Sequence, residues 1–365
     1  VSARKYRPYN WDTVVGQTSI KATLQRAIES GQLGHAYLFC GPRGVGKTTC
    51  ARIFAKAIND WMPNTDEGFG HDQDHDSDYA FNIFELDAAS NNSVEDIRSL
   101  MEQVRIPPQT GKYKVYVIDE VHMLSSSAFN AFLKTLEEPP AHAKFILATT
   151  EKHKILPTII SRCQVFDFNR ISISDMVDHL KMIAQQEGVT AEEEALHVIA
   201  QKADGALRDA LSIFDQAIAF TSNELTYQAV ISNLNILDYD YYFRVTESLL
   251  NEDMSATLLA VNEILKGGFD GHIFIAGLGE HFRNLLVSKD ASTLDLMQVS
   301  EGVKEKYKAQ SALATVKWLV EAMNIMNKAD VQYKMSKNQR LLVELSMMQA
   351  ASLKSVDAEK KKLVD

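Results

Sequence analysis

The sequence predicts an α/β domain with a parallel sheet in its first half and an all-α remainder. Three observations carry this. Short apolar runs of strand length recur through about residue 168: Ala36–Cys40, Asn82–Leu86, Val115–Ile118, Phe145–Ala148 and Val165–Phe168. Between them, Ser19–Ser30, Lys47–Ala57, Val94–Arg105 and Ser127–Glu137 carry apolar residues at helical spacing, and strands alternating with helices imply a parallel sheet covered on both faces. After about residue 169 the strand signals vanish.

The helices can be justified in turn. Ser93 with Asp96 forms a capping pair for the third, and Pro139 and Pro140 stop the fourth. Ser174–Glu187, Ala191–Ala203 and Leu207–Phe220 read as a small helical domain. From about Leu225 the helical pattern continues, with long amphipathic stretches such as Met254–Lys266, ended by Gly267 and Gly268, and Ser311–Met326. The expected organisation is an α/β domain over 1–168, a small helical domain over 169–223, a larger helical domain over 224–352 and a tail or linker over 353–365.

A length of 365 residues favours two or three domains, and 45% hydrophobic with 24% charged residues is a soluble globular composition. No run approaches the 18 or more uncharged apolar residues of a membrane span. Val1–Arg7 is basic without an apolar stretch, so nothing reads as a signal peptide. Cys40, Cys50 and Cys163 are too few and too scattered for a disulfide framework. A cytoplasmic protein is the expectation. The net charge of −10 argues against coating nucleic acid by overall basicity. Its distribution says more: residues 1–56 hold nine Lys/Arg against two Asp/Glu, whereas 57–99 hold eleven acids against Arg98 alone. Any contact with a polyanion must be local.

Gly41-Pro42-Arg43-Gly44-Val45-Gly46-Lys47-Thr48, followed by Thr49, fits the phosphate-loop pattern G-x-x-x-x-G-K-[ST] in full. A predicted strand precedes it and a predicted helix follows it. Glycines let successive backbone N–H groups turn inward around phosphates, and the helix N-terminus adds a favourable dipole. Lys47 is then expected along the β- and γ-phosphates, with the Thr48 hydroxyl on Mg²⁺. The strand Val115–Ile118 ends in Asp119-Glu120, the Walker B form, in which Asp119 holds the magnesium shell and Glu120 polarises the attacking water. A Gly-rich turn without a ligand and a carboxylate helix cap are the plain alternatives. The two motifs in order, about 70 residues apart, are more specific than either alone.

Three further segments follow in order: Thr149-Thr150 after the next strand, Ser161-Arg162-Cys163, and Gly205-Ala206-Leu207-Arg208-Asp209. With them the chain resembles the AAA+ ATPases, and more narrowly the gamma/tau clamp-loader family of bacterial DNA polymerase III. The narrower likeness rests on Arg4–Pro8, Val14–Gln17, His35–Leu38, Leu86–Ser90, Asp119–Leu124, Leu133–Pro140 and Leu207–Ser212. It is strong over about residues 3–220 and looser over the helical remainder.

The resemblance implies an α/β P-loop (AAA+) domain, a helical lid and an all-α collar through which subunits oligomerise. It implies ATP and Mg²⁺ as ligands, Thr150 as the polar sensor 1, and Arg208 as sensor 2 near the γ-phosphate. Arg162 is implied to act in trans on a neighbouring subunit's ATP; a guanidinium suits both tasks because its fixed fork pairs with phosphate oxygens. Arg7, Pro8, Val14 and Val15 are implied to line the adenine pocket, and Asn91, Asn92, Ser93 and Arg98 to meet DNA. The implied partners are other clamp-loader subunits or further copies of the chain, a sliding clamp and primer–template DNA, with no membrane. The implied activity is ATP-driven opening of the clamp and its release around primed DNA.

One departure from that family is plain. Its four-cysteine zinc module, expected between the P-loop helix and the second strand, has no counterpart, since residues 57–84 contain no cysteine. The segment Asp60–Asp78 instead holds His71 and His75 among Asp66, Asp72, Asp74, Asp76 and Asp78. Two imidazoles with carboxylates suit a divalent ion, but glycines at 68 and 70 and the dense like charge favour a solvated acidic loop, so no zinc site is expected. Among other readings, a helicase loader or branch-migration motor is the nearest; a closing winged-helix signal would favour the latter and is missing. A clamp-loader subunit that binds no ATP conflicts with the complete motifs. The polymerase itself would leave the P-loop unexplained.

Overall fold

The five apolar runs of the first half fold as one parallel sheet in a computed structural model of the chain. The structure describes residues 2–60, 82–109, 111–221, 224–234, 236–297, 299 and 301–354. The His71/His75 segment and the end of the predicted tail lie outside them. Two units divide the chain: Val1–Thr190 with Ile199–Ala219, and Ala191–Val198 with Phe220–Asp365.

In the first unit the order is α1 (Ser2–Lys5), α2 (Thr18–Glu29), β1 (Ala36–Cys40), α3 (Lys47–Asp60), β2 (Ile83–Asp87), α4 (Val94–Val104), β3 (Lys114–Asp119), α5 (Ser126–Glu137), β4 (Ala143–Thr149), α6 (Pro157–Ile160), β5 (Gln164–Asp167) and α7 (Ile173–Glu187). α8 (Glu193–Lys202) runs across the division in the chain, and α9 (Leu207–Thr221) follows. The strands lie in the order β2-β3-β4-β1-β5. Every residue of β1 and β4 is buried, as central strands of a doubly covered sheet require. Period-two alternation sorts their side chains between two layers. Tyr37 and Phe39 join Leu24, Ile28, Phe54 and Ile58 of α2 and α3 on one face. Ala36, Leu38 and Cys40 join Ile97, Phe129 and Phe132 of α4 and α5 on the other. Tyr37 meets Phe54 edge-on at 4.9 Å between ring centroids. Phe54→Ala at this fully buried position would cost about 3–5 kcal/mol.

Local signals set the helix starts. Ser93 caps α4 by accepting from the Asp96 amide at 3.2 Å, and the Asp96 carboxylate accepts from the Ser93 amide in return, the capping box its spacing predicts. Ser125 and Ser172 cap α5 and α7 through their hydroxyls, which accept from the Ala128 and Asp175 amides. Register then positions the loops. Cys40 lies opposite Thr149 and Ile118 opposite Leu147, so the turns after β1, β3 and β4 leave one edge of the sheet side by side. In open α/β sheets that carboxyl edge is where ligands bind.

The second unit contains α10 (Tyr227–Asn233), α11 (Tyr239–Leu250), α12 (Met254–Lys266), α13 (Gly271–Val287), α14 (Glu301–Ser311), α15 (Val316–Tyr333) and α16 (Gln339–Ala351). Their core joins Val245, Leu249, Ile264, Phe274, Leu278, Phe282, Leu319 and Met347. α12 has the bounds its periodicity predicts. The predicted single helix Ser311–Met326 does not form. Ser311 ends α14, Thr315 caps α15 by accepting from the Trp318 amide at 3.2 Å, and α15 continues past Met326. A local cap outweighed uninterrupted apolar spacing. Two-residue strands at Thr190–Ala191 and Glu224–Leu225 also correct the expectation that strands end with β5.

Candidate nucleotide site

The turn after β1 is built on glycines that no other residue replaces without strain. Gly41 adopts φ 149°, and a Cβ there would run into the backbone of Phe168. Gly46 adopts φ 99°, a conformation that L side chains rarely take, beside open space. The loop therefore takes a curled path that glycine allows before α3 begins at Lys47.

Lys47 is buried, and its Nζ donates to the carbonyls of Gly41 and Pro42 at 2.8 and 2.7 Å. Burial lowers its pKa from the ordinary lysine value, against the opposing pull of Glu120 and Asp119. Its direct hydrogen-bond partners are neutral carbonyls, so an incoming anion can add a charged partner. The Thr48 hydroxyl donates to Asp119 Oδ2 at 2.6 Å, and Asp119 Oδ1 accepts from the Glu120 amide at 2.9 Å. Glu120 sits at φ 47°, ψ 44°, a left-handed conformation that costs a non-glycine residue about 1–3 kcal/mol and that the surrounding contacts must hold. Its Oε2 accepts from the Thr150 amide at 3.3 Å and the Thr150 hydroxyl at 3.1 Å.

Lys47, Thr48, Asp119 and Glu120 open on one cavity of about 550 Å³, whereas Gly41, Pro42 and Thr150 stand behind its lining. Arg43, Gly44, Val45, Gly46, Lys47, Thr48 and Thr49 line it from the loop and α3, with Asp119 and Glu120 from the end of β3. Arg7, Pro8, Val14 and Val15 line it as well, as does Arg208 at the start of α9. Arg7 Nε donates to Thr49 Oγ1 at 3.3 Å; burial and then the nearby Arg52 lower the Arg7 pKa. The Arg208 amide donates to the Gly44 carbonyl at 3.5 Å, which brings the Gly205–Asp209 segment onto the P-loop. The cavity thus has apolar walls (Pro8, Val14, Val15) and a polar set around Lys47.

Other sequence-predicted residues stand elsewhere. Arg162 does not line the cavity; its guanidinium pairs with Glu137 Oε1 at 2.8 Å and donates to the Thr158 carbonyl at 2.8 Å. Asn91 Nδ2 donates to the Asp87 carbonyl at 3.1 Å, Ser93 is engaged in its cap, and Arg98 is exposed. Sequence reasoning missed Ile171, Leu207 and Leu211, which add apolar wall. Leu207 and Leu211 lie within the Leu207–Ser212 stretch, but its pattern does not say which of its residues face a ligand, and Ile171 lies outside every motif. It also missed a role for His122, whose buried imidazole lies 3.4 Å from Glu120 Oε2.

The residues present fit a nucleotide with its cation. Thr48 and Asp119 present a hydroxyl and a carboxylate, the hard oxygen donors Mg²⁺ prefers. Among the described residues no group of three or more His, Cys, Asp and Glu is arranged to hold a metal ion by itself, so remaining ligands would come from water and phosphate, as is usual for this ion. No helix of the described residues is long and apolar enough to cross a membrane.

Comparison with known proteins gives the family. Residues 16–172 match the family described as DNA polymerase III, delta subunit, and residues 175–223 match the ATPase lid domain of the DNA polymerase III clamp loader subunit. The tau subunit of DNA polymerase III from Bacillus subtilis (strain 168) is 40% identical over 375 residues, covering 99% of this chain and 66% of the relative. The tau subunit from Escherichia coli (strain K12) is 35% identical, covering 96% of this chain and 55% of the relative. The gamma subunit from Buchnera aphidicola subsp. Baizongia pistaciae is 38% identical, covering 79% of this chain and 75% of the relative. The chain thus spans about half to two thirds of the tau subunits. Among solved structures, the Thermotoga maritima RuvB Holliday junction branch migration motor superposes with a TM-score of 0.50 at 19% identity, over 67% of this chain and 79% of that one. That likeness establishes the AAA+ fold alone. With 38% identity across three quarters of that gamma subunit, and 35–40% to the tau subunits, the chain belongs to the gamma/tau subunit family of bacterial DNA polymerase III.

Proposed function

We propose that the chain is the ATP-hydrolysing subunit of a replicative clamp loader, which uses ATP binding and hydrolysis to load a sliding clamp onto primer–template DNA. The observation that supports this most is the single cavity shared by the P-loop, the Asp119–Glu120 strand end and Arg208. The chain is a subunit of the polymerase holoenzyme and not the polymerase.

Phosphates are bound by the P-loop amides of Arg43–Thr49 and by the Lys47 ammonium, while Gly41 and Pro42, whose carbonyls hold Lys47, shape the turn. Thr48 and Asp119 hold Mg²⁺, which when bound neutralises charge on the phosphate oxygens. Glu120 orients the attacking water and draws on its proton, and Thr150 holds Glu120 by two hydrogen bonds. Arg7, Pro8, Val14 and Val15 receive the adenine. Arg208 reports the γ-phosphate to the lid. Arg162 acts in trans: in the single chain it is paired with Glu137, away from its own cavity. Asn91, Ser93 and Arg98 are the proposed DNA contacts.

The proposed division is the AAA+ domain over 1–168, the lid over 169–223, the oligomerising collar over 224–352 and a tail or linker beyond. Partners are further clamp-loader subunits or copies of this chain, the clamp and DNA, in the cytoplasm. The test is ATPase activity of the assembled complex with and without primed DNA and a sliding clamp. Stimulation by both is expected. Hydrolysis indifferent to both, or none at all, would sink the reading.

A further inference from the structure

His122 follows Glu120 in the short turn Val121–Met123, and its side chain is only 7% exposed. Three oxygens surround it. Nδ1 lies 3.1 Å from Thr149 Oγ1 and 3.4 Å from Glu120 Oε2, and Nε2 lies 3.1 Å from Glu151 Oε2. A carboxylate can only accept, so Nε2 carries a hydrogen and donates to Glu151; by the same rule Nδ1 bonds Glu120 Oε2 as an N–H donor, with the Thr149 hydroxyl oxygen as its other acceptor. The Thr149 hydroxyl oxygen is itself fixed, because it accepts from the Glu151 amide at 3.0 Å. The imidazole is therefore clamped from both ends by the turn that leaves β4.

The clamp bears on Glu120. That residue is held in a left-handed conformation, and every contact to its carboxylate among the described residues falls on Oε2: two from Thr150 and the approach of His122 Nδ1. Oε1 is left for a further donor, which in a hydrolase is water. We infer that His122, anchored by Glu151, is a positioning residue that sets the orientation of the Glu120 carboxylate for water activation. The imidazole touches neither Lys47 nor the Thr48–Asp119 pair and does not line the cavity, so it acts on the chemical step and not on nucleotide affinity.

This inference rests on the ATPase reading above, and its test separates the two. Turnover, ATP affinity and thermal midpoint are compared for the assembled complex of the parent chain and for His122→Ala, His122→Asn, Glu151→Ala and Glu151→Gln. His122→Ala should lower kcat by about 10- to 100-fold, the range for groups that orient a catalytic ligand, with ATP affinity and midpoint at parental values. His122→Asn, smaller and still polar, guards against a failure to fold and should also lose turnover. Glu151→Gln should lose less than Glu151→Ala, because its amide oxygen still accepts from Nε2. Parental kcat in both His122 variants would overturn the assignment. So would a loss of affinity and midpoint in step with kcat, since that marks a packing role. A parent that neither binds nor hydrolyses ATP sinks the ATPase reading itself, a distinct result.

Discussion

The Thr48 hydroxyl and the Asp119 carboxylate, 71 residues apart in the chain, are joined by a 2.6 Å hydrogen bond. Parallel pairing brings them together: β4 lies between β1 and β3, and the turns after all three leave one edge. A carboxylate and a hydroxyl, both hard oxygen donors, thus stand side by side where the proposed Mg²⁺ would bind.

That pairing predicts a magnesium phenotype. Asp119→Asn keeps the shape and can still accept from Thr48, but it removes the charge. Hydrolysis should fall by about 10²-fold or more, the scale for losing one preorganised electrostatic partner, and half-saturation should shift to higher Mg²⁺. Magnesium titrations of ATPase activity check this, and an unchanged magnesium dependence would remove Asp119 from the cation site.

Lys47→Ala should abolish ATP binding while the fold survives. The ammonium has two backbone carbonyls as partners and its pKa is lowered by burial, so it contributes little to the apo core. The loss of those neutral acceptors' partner costs about 1–3 kcal/mol at most. Equilibrium nucleotide binding and circular dichroism on the same sample decide the matter. A folded variant with near-parental affinity would count against the site.

Much of this was legible from local pattern. The five strands and the flanking helices follow from apolar spacing, because a doubly covered sheet needs continuous apolar runs and its helices need one apolar face. The P-loop and Asp119-Glu120 could be found because their chemistry is compressed into a few adjacent residues. The α14–α15 break was missed because Thr315 ends an apolar stretch by a single hydrogen bond that periodicity does not register. Ile171 and Leu211 line the cavity through packing of distant segments, and His122 gains its place through Thr149 and Glu151. His122 and Leu211 sit inside recognised stretches, but sequence alone does not tell which way their side chains face.

Arg162 is predicted to matter only between subunits. Its guanidinium is held by Glu137 and the Thr158 carbonyl and does not reach its own cavity. Arg162→Ala should leave ATP binding by the isolated chain intact and cut hydrolysis in the assembled complex by about 10³-fold, the low end for arginine fingers. Rates of the mutant complex equal to the parent would end the assignment. The Glu137 pair is half exposed, so breaking it should cost less than about 1 kcal/mol of stability, and the effect will be read in turnover.

The second unit should carry a separate response to acid. His281 on α13 is 1% exposed, with Nδ1 3.0 Å from the Tyr307 hydroxyl and Nε2 3.0 Å from Gln310 Oε1. The amide oxygen can only accept, so Nε2 holds the hydrogen and Nδ1 accepts from Tyr307. Burial pushes the imidazole pKa down to about 4 from an ordinary 6.5, against a smaller opposing effect of Gln310. Between those values the unfolded chain binds a proton that the folded chain refuses, so stability rises with pH across the window. The contribution is fully present above about pH 6.5 and is lost as pH falls toward 4, at about 1.4 kcal/mol per pH unit. His281→Gln cannot take up this proton. It should be less stable than the parent at pH 7.5, where the buried contacts are imperfectly replaced, yet its stability should fall less steeply from pH 6.5 to 5. Native-state hydrogen exchange of α13 amides in urea, corrected for intrinsic rates, measures both slopes. Equal acid slopes in parent and variant would show that His281 is not the group that titrates.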